Sequence, residues 1–204
     1  MKYLSKGALS LAVMAAAAIS SADLNYSNVM ATITFNGTDT YDLKVTTSGN
    51  SIDFSALEIP MYVDSVNSDY QNAQINISYD VTSDKGINGL ELVFTGMTLG
   101  AGTVGYEELV EDANGNDLDA VSGILGGNSV FVQSDFLDFG GSFTEYSVTK
   151  TFNLNILSNQ TSGLTPAASL ASLGLIEQNA VPEPATLGAV GVGLFGILAR
   201  RRRK

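Results

Sequence analysis

The chain has no cysteine, no histidine and no tryptophan, and only four of its 204 residues are proline. Without cysteine there is no disulfide framework, no thiolate nucleophile and no thiolate metal ligand. Without histidine the Ser-His and Cys-His nucleophile pairs and the usual zinc ligands are missing too. Together these absences exclude most hydrolase mechanisms, and the lack of tryptophan removes the largest ring on which a sugar would stack. Cations are scarce as well. Of the ten Lys and Arg residues, Lys2 and Lys6 lie at the start, five form the last five residues, and only Lys44, Lys85 and Lys150 lie between. All 21 acidic residues fall between Asp23 and Glu183, so three cations against 21 acids give that stretch a formal charge of −18, hidden in an overall −11. Such a body repels polyanions, which argues against nucleic acid or anionic lipid as its partner.

What is present is concentrated first at the two ends. Lys2 and Lys6 flank a 13-residue apolar run, Gly7 to Ile19, followed by small residues at Ser20, Ser21 and Ala22. This is the layout of a signal peptide, residues 1–22, with signal peptidase cutting between Ala22 and Asp23. The run is too short for a retained span across a bilayer of roughly 30 Å. At the other end, Val181-Pro182-Glu183-Pro184 precedes an uncharged stretch, Ala185 to Ala199, and then Arg200, Arg201, Arg202, Arg203 and Lys204. Fifteen residues make a helix of about 22 Å, which inserts if the arginines snorkel and the bilayer thins. Cations beside an apolar segment stay on the cytoplasmic side, so both basic ends are held inside while the acidic middle is carried out. Pro182 and Pro184 cannot continue a helix backwards, which starts the membrane helix (185–199) beside the motif.

The ordered combination of Pro182, Glu183 and Pro184, a Gly-rich span and the basic cluster Arg200 to Lys204 resembles the PEP-CTERM sorting signal of bacterial exported proteins. The resemblance covers about the last 24 residues. It implies recognition by an exosortase-type transpeptidase, a transient inner-membrane anchor, and transfer to the cell surface or the exopolysaccharide matrix. It implies nothing about the body, because such tails are attached to unrelated domains.

In the body, residues 23–160, periodicity points to strands. Ala31, Ile33 and Phe35 alternate with Thr32 and Thr34, and Tyr41, Leu43 and Val45 share one side of a stretch read as a single strand, Tyr41 to Thr46. The same period runs through Ile75, Ile77, Tyr79 and Val81, then Leu90, Leu92 and Phe94, then Phe152, Leu154 and Ile156. Asn36-Gly37, Ser48-Gly49-Asn50, Lys85-Gly86, Asn114-Gly115 and Gly126-Gly127-Asn128 are turn chemistry between these runs. The expectation is an all-β body, an antiparallel β-sandwich or jelly roll. Residues 161–180 are expected to be a linker or short helix, with a final strand around Ala167 to Ile176 as the other reading.

One stretch has candidate chemistry. Asp112, Asn114, Asn116 and Asp119 lie in an acidic segment, and oxygens at alternate positions suit a calcium loop. An EF-hand match fails, however: Asp117 stands where the loop needs Gly, and Gly123 where it needs a bidentate Glu. The competing reading is a hairpin with Asn114-Gly115 as its tight turn and the carboxylates as a solvated face. Apart from calcium there, no cofactor is expected.

Two functions of different classes fit. The first is a non-catalytic structural or adhesive module at the cell surface or matrix, with no catalytic residues. The second is a carbohydrate-binding or weakly carbohydrate-active protein, with Tyr41, Tyr62, Tyr70, Tyr79, Tyr106 and Tyr146 as stacking rings and paired carboxylates as acids. Packing is the commoner role for those tyrosines.

Overall fold

The computed structural model describes residues 22–66, 70–156 and 168–182, and among the described residues the chain is all-β, antiparallel and free of helix. The signal helix and the transmembrane helix expected at the two ends lie outside these residues. The strands are β1 (Leu24–Phe35), β2 (Asp39–Asp42), β3 (Lys44–Ser48), β4 (Ser51–Ser55), β5 (Tyr62–Asp64), β6 (Asn72–Leu99), β7 (Gly102–Asp112), β8 (Asp117–Gly126), β9 (Ser129–Ile156) and β10 (Leu170–Pro182).

The architecture rests on β6 and β9, each 28 residues long, which pair with one another along nearly their whole length. Their register runs evenly from Asn72↔Asn155 to Thr82↔Glu145, shifts at Ile87↔Phe143 and Gly89↔Asp138, and then runs evenly to Thr98↔Ser129. At the shift both strands bend, and each half joins a different layer. The first half of β6 and the second half of β9 lie in a layer ordered β2-β1-β6-β9-β7-β8. The other halves lie with β10, β4 and β3, and β5 also pairs with β10. The layers face each other through aromatic contacts: Phe94 lies 5.2 Å from Phe152 and 4.8 Å from Tyr106, and Phe54 lies 5.9 Å from Tyr79, centroid to centroid.

The alternating apolar sets form this core. Ala31, Ile33, Phe35, Ile75, Ile77, Tyr79, Val81, Leu90, Leu92, Phe94, Phe152, Leu154 and Ile156 are all buried. Ring pairs such as Phe94–Phe152 add about 0.5–1.5 kcal/mol each beyond the area they bury.

The structure differs from the sequence reading at three places. Lys85-Gly86 is not a hairpin turn; it lies inside β6 at the bend, where extended backbone carries the chain from one layer to the next. Tyr41 to Thr46 is not one strand. It divides at Leu43, which is buried and whose N–H donates to the Ala31 carbonyl at 2.9 Å, so that β2 pairs with β1 while β3 pairs with β4. At the end of the 161–180 stretch the strand reading holds in place of a linker or short helix, but the strand runs further than Ile176: Leu170–Pro182 lies in the interior of the sheet, between β6 on one side and β4 and β5 on the other. The β-bulge between Leu173 and Ile176 explains why its period was illegible. Ala171 and Leu173 point inward before it, and Ile176, Gln178 and Ala180 after it, so the alternation changes phase. The Thr95 hydroxyl accepts from the Leu175 N–H at 3.2 Å, satisfying a donor at the bulge.

Candidate functional site

The two expected processing positions meet the fold differently. Ala22 is buried, and Asp23, just before β1, donates its backbone N–H to Asp84 Oδ1 at 2.7 Å while the Asp84 N–H returns to the Asp23 carbonyl at 3.3 Å. Pro182 is half-buried and is the last residue of β10, opposite Ile87. The sorting motif therefore begins on the sheet itself, with no spacer between Pro182 and the body. Glu183, Pro184 and Arg200 to Lys204 lie outside the described residues.

The acidic segment is a hairpin. β7 and β8 pair from Thr103↔Gly126 to Glu111↔Asp117, and Gly115 turns the chain at φ +77°. Asp112 accepts from the Asn114 and Asn116 backbone N–H groups at 2.8 and 2.9 Å and from Asn116 Nδ2 at 2.8 Å. Those bonds, the Asn116 side chain first, hold its carboxyl down at about 2. Asp119 is engaged elsewhere, accepting from the Asp138 N–H at 2.8 Å. The structure thus brings Asp112, Asn114 and Asn116 together as a turn and turns Asp119 toward β9. Among the described residues no group of three or more carboxylates converges as a metal site.

The outer face of the first layer is polar and amide-rich. Gln74 Nε2 donates to Asn153 Oδ1 at 3.2 Å, Asn76 Nδ2 donates to Gln74 Oε1 at 3.3 Å, and Thr34 and Thr40 share a hydroxyl contact at 2.9 Å. Beside them lies an open depression of about 620 Å³ lined by Thr103, Gly105, Glu107, Ser122, Asn153 and Asn155. Donors and acceptors there suit hydroxyl-rich ligands. Of the tyrosines only Tyr106 borders it, and that ring is buried against Phe94 and Phe152 rather than laid open as a platform; Tyr79 and Tyr146 are buried elsewhere, and Tyr41, Tyr62 and Tyr70 are half-buried. Tyr106 turns its hydroxyl to Asp135 at 2.8 Å, and burial followed by that bond pushes it up to about 12.

A cluster missed by motif reading lies in the core. Glu108 of β7 and Lys150 of β9 are direct cross-strand partners, both completely buried, with Lys150 Nζ 2.7 Å from Glu108 Oε1. From the opposite layer Gln178 of β10 receives a hydrogen bond from Lys150 Nζ on its Oε1. The Tyr79 ring lies 6.0 Å from the same nitrogen, and burial pushes its hydroxyl well above the usual tyrosine range. Burial lowers the Lys150 amine, with Glu108 acting in the opposite sense. The signal for Lys150 was in the sequence, because it is two residues before Phe152 on an inward face that continues through Val148 and Tyr146. Gln178 was hidden by the bulge.

Comparison with known proteins bears on the tail and hardly on the body. Residues 180–204 match the PEP-CTERM protein-sorting motif. No curated protein matches the chain. Among solved structures, the enzymatically active domain of bacteriophage CBA120 tailspike protein 4 is similar at TM-score 0.33 and 17% identity, over 76% of this chain and 20% of that one. TmCBM61, in complex with β-1,4-galactotriose, gives TM-score 0.32 and 10% identity over 77% of this chain and 88% of that one. The family 11 carbohydrate-binding module from Clostridium thermocellum, in complex with a β-1,3-1,4-mixed-linked tetrasaccharide, gives 0.29 and 9% over 80% and 91%. The chain spans a fifth of the tailspike domain, and likeness this distant carries no argument about a ligand.

Proposed function

We propose that this chain is an exosortase substrate whose acidic β body serves at the cell surface or in the exopolysaccharide matrix as a non-catalytic structural or adhesive module. The match of residues 180–204 to the sorting motif carries the sorting part of the reading, and the lack of histidine and cysteine supports the non-catalytic part. Charge segregation supports it independently, because cations flank both apolar ends while the −18 stretch between them holds 21 acids against three lysines. In this reading signal peptidase removes 1–22, the 185–199 helix anchors the protein in the inner membrane, and the transpeptidase acts at Pro182-Glu183-Pro184. The expected outcome is a surface-recovered protein that begins at Asp23 and lacks Arg200 to Lys204, measured by intact mass. A mature protein that keeps the arginine cluster contradicts it.

The amide-rich face beside the Thr103–Asn155 depression favours a second reading, saccharide binding, since side-chain amides and hydroxyls hydrogen-bond sugar hydroxyls well. A glycan array on the purified protein tests it. The expected result under this reading is binding lost in Asn153→Ala, and an array with no signal removes it.

A further inference from the structure

The Lys150, Glu108 and Gln178 cluster is poorly explained as a stabilising ion pair. Taking two charges out of water costs several kcal/mol per ion, and their attraction offsets that only when every remaining polar atom is satisfied. Here it is not. Among the described residues, neither oxygen of Glu108 has a hydrogen-bond partner apart from the lysine, and Gln178 Nε2 and the Tyr79 hydroxyl, both buried, have none. Buried and half-satisfied polar groups of this kind point to chemistry. An amine, a carboxamide and a carboxyl group meet in a dry site built from three strands, β9, β10 and β7.

We propose that Lys150 and Gln178 join in an autocatalytic isopeptide bond, with Glu108 as the acid–base group, so that the two layers of the body are tied together covalently. The step begins when the Lys150 ammonium passes a proton to Glu108, leaving a neutral amine beside a neutral acid. The amine Nζ attacks Cδ of Gln178 while the Glu108 proton moves to the amide oxygen. Glu108 then takes a proton from Nζ and delivers it to Nε2, the Cδ–Nε2 bond breaks, and ammonia leaves. As the carbonyl re-forms, its proton returns to Glu108. An amine and a primary amide become a secondary amide and ammonia, so no oxidant, metal or external reactant is required. The lowered basicity of the buried Lys150 amine supplies the nucleophile in its reactive form. Packing holds the reactants in place, and effective molarities for such oriented pairs reach about 10⁵–10⁸ M. The product removes a buried charge pair and the unpartnered amide nitrogen together. Its position also has a consequence: β10 runs directly into Pro182, so any pull on the sorting tail loads a strand covalently held to the core.

Peptide mapping of the folded, purified full-length chain by tandem mass spectrometry tests this. The expected result is one branched peptide containing Lys150 and Gln178, lighter by one ammonia than the two linear peptides together. Gln178→Ala abolishes it, and Glu108→Gln, which keeps the size of the side chain, leaves the linear peptides in a protein with unchanged circular dichroism. Lys150 and Gln178 in separate peptides of the folded wild type overturn the proposal, as does loss of water with Lys150 joined to Glu108. A branched peptide formed equally in Glu108→Gln overturns the role of the acid. Because the wild-type map decides the bond by itself, failure of a variant to fold does not protect the proposal.

Discussion

At the scale of single residues, carboxylates that look alike in sequence have unlike roles. Asp112 is a turn acceptor with three donors, Asp119 caps a backbone N–H on β9, and Glu108 is sealed in the core. The first assignment has a pH signature. Because the folded carboxyl is held down at about 2 against an ordinary 3.8, its contribution to stability is complete above about 3.8 and lost as pH falls through about 2. An NMR titration is expected to show Asp112 turning over near pH 2, and Asn116→Ala is expected to move that midpoint upward. An Asp112 midpoint at the ordinary value in the wild type would remove the turn as its cause. Alternation in sequence was enough to place Phe152 and Tyr79 inside, but it does not say which of 21 acids finds a cation in the core. That depends on which strand lies opposite, and Glu108 lies opposite Lys150 only because β7 pairs with β9 in this register.

At the scale of elements, β10 is the strand on which most depends. It pairs with β6, β4 and β5, and it buries Ala171, Leu173, Ile176 and Ala180. Each buried Leu or Ile contributes about 1.5–3 kcal/mol, a large part of the 5–15 kcal/mol, roughly, of a typical domain. Removing everything after residue 169 is therefore expected to abolish cooperative thermal unfolding followed by circular dichroism, whereas ending the chain at Pro182 is expected to preserve it. A chain ending at 169 with an unchanged melting transition would show that β10 is dispensable. The hairpins were legible because Asn36-Gly37, Gly49-Asn50 and Asn114-Gly115 name their turns locally, with positive φ at Asn36, Gly37, Gly49 and Gly115. The bend in β6 and the bulge in β10 were not. Each changes the phase of the period, so neither half predicts the other.

At the scale of the whole molecule, the core is closed by aromatic rings that carry hydroxyls into apolar surroundings. Burial first raises Tyr26 and Tyr106 to about 12 against the ordinary 10.0, Tyr70 reaches about 12 through its bond to Asp39, and burial also pushes the Tyr79 and Tyr146 hydroxyls well up from the usual tyrosine range. Groups raised on folding contribute stability that is complete below about 10 and disappears as pH rises through 12 and beyond. Tyrosinate absorbance is expected to show these rings ionising late, together with loss of the fold. One simple titration of every tyrosine near pH 10, with the fold intact, would contradict the buried positions. The same aromatic core joins the two layers, and its rings come from three strands: Phe54 of β4, Tyr79 and Phe94 from the two halves of β6, and Phe152 of β9.

By itself the amino-acid sequence determined the sorting motif at its C-terminal end, the antiparallel β class and most of the buried set. Cation placement, apolar run length and period-two alternation are local properties, readable in a window of a dozen residues. Only the tertiary structure decided that Leu170–Pro182 is an interior strand, that β6 and β9 each serve both layers, and that Lys150, Glu108 and Gln178 converge. Those features depend on pairing between segments far apart in the chain. Such pairing is selected by the free energy of closing a shared core, which no local window contains.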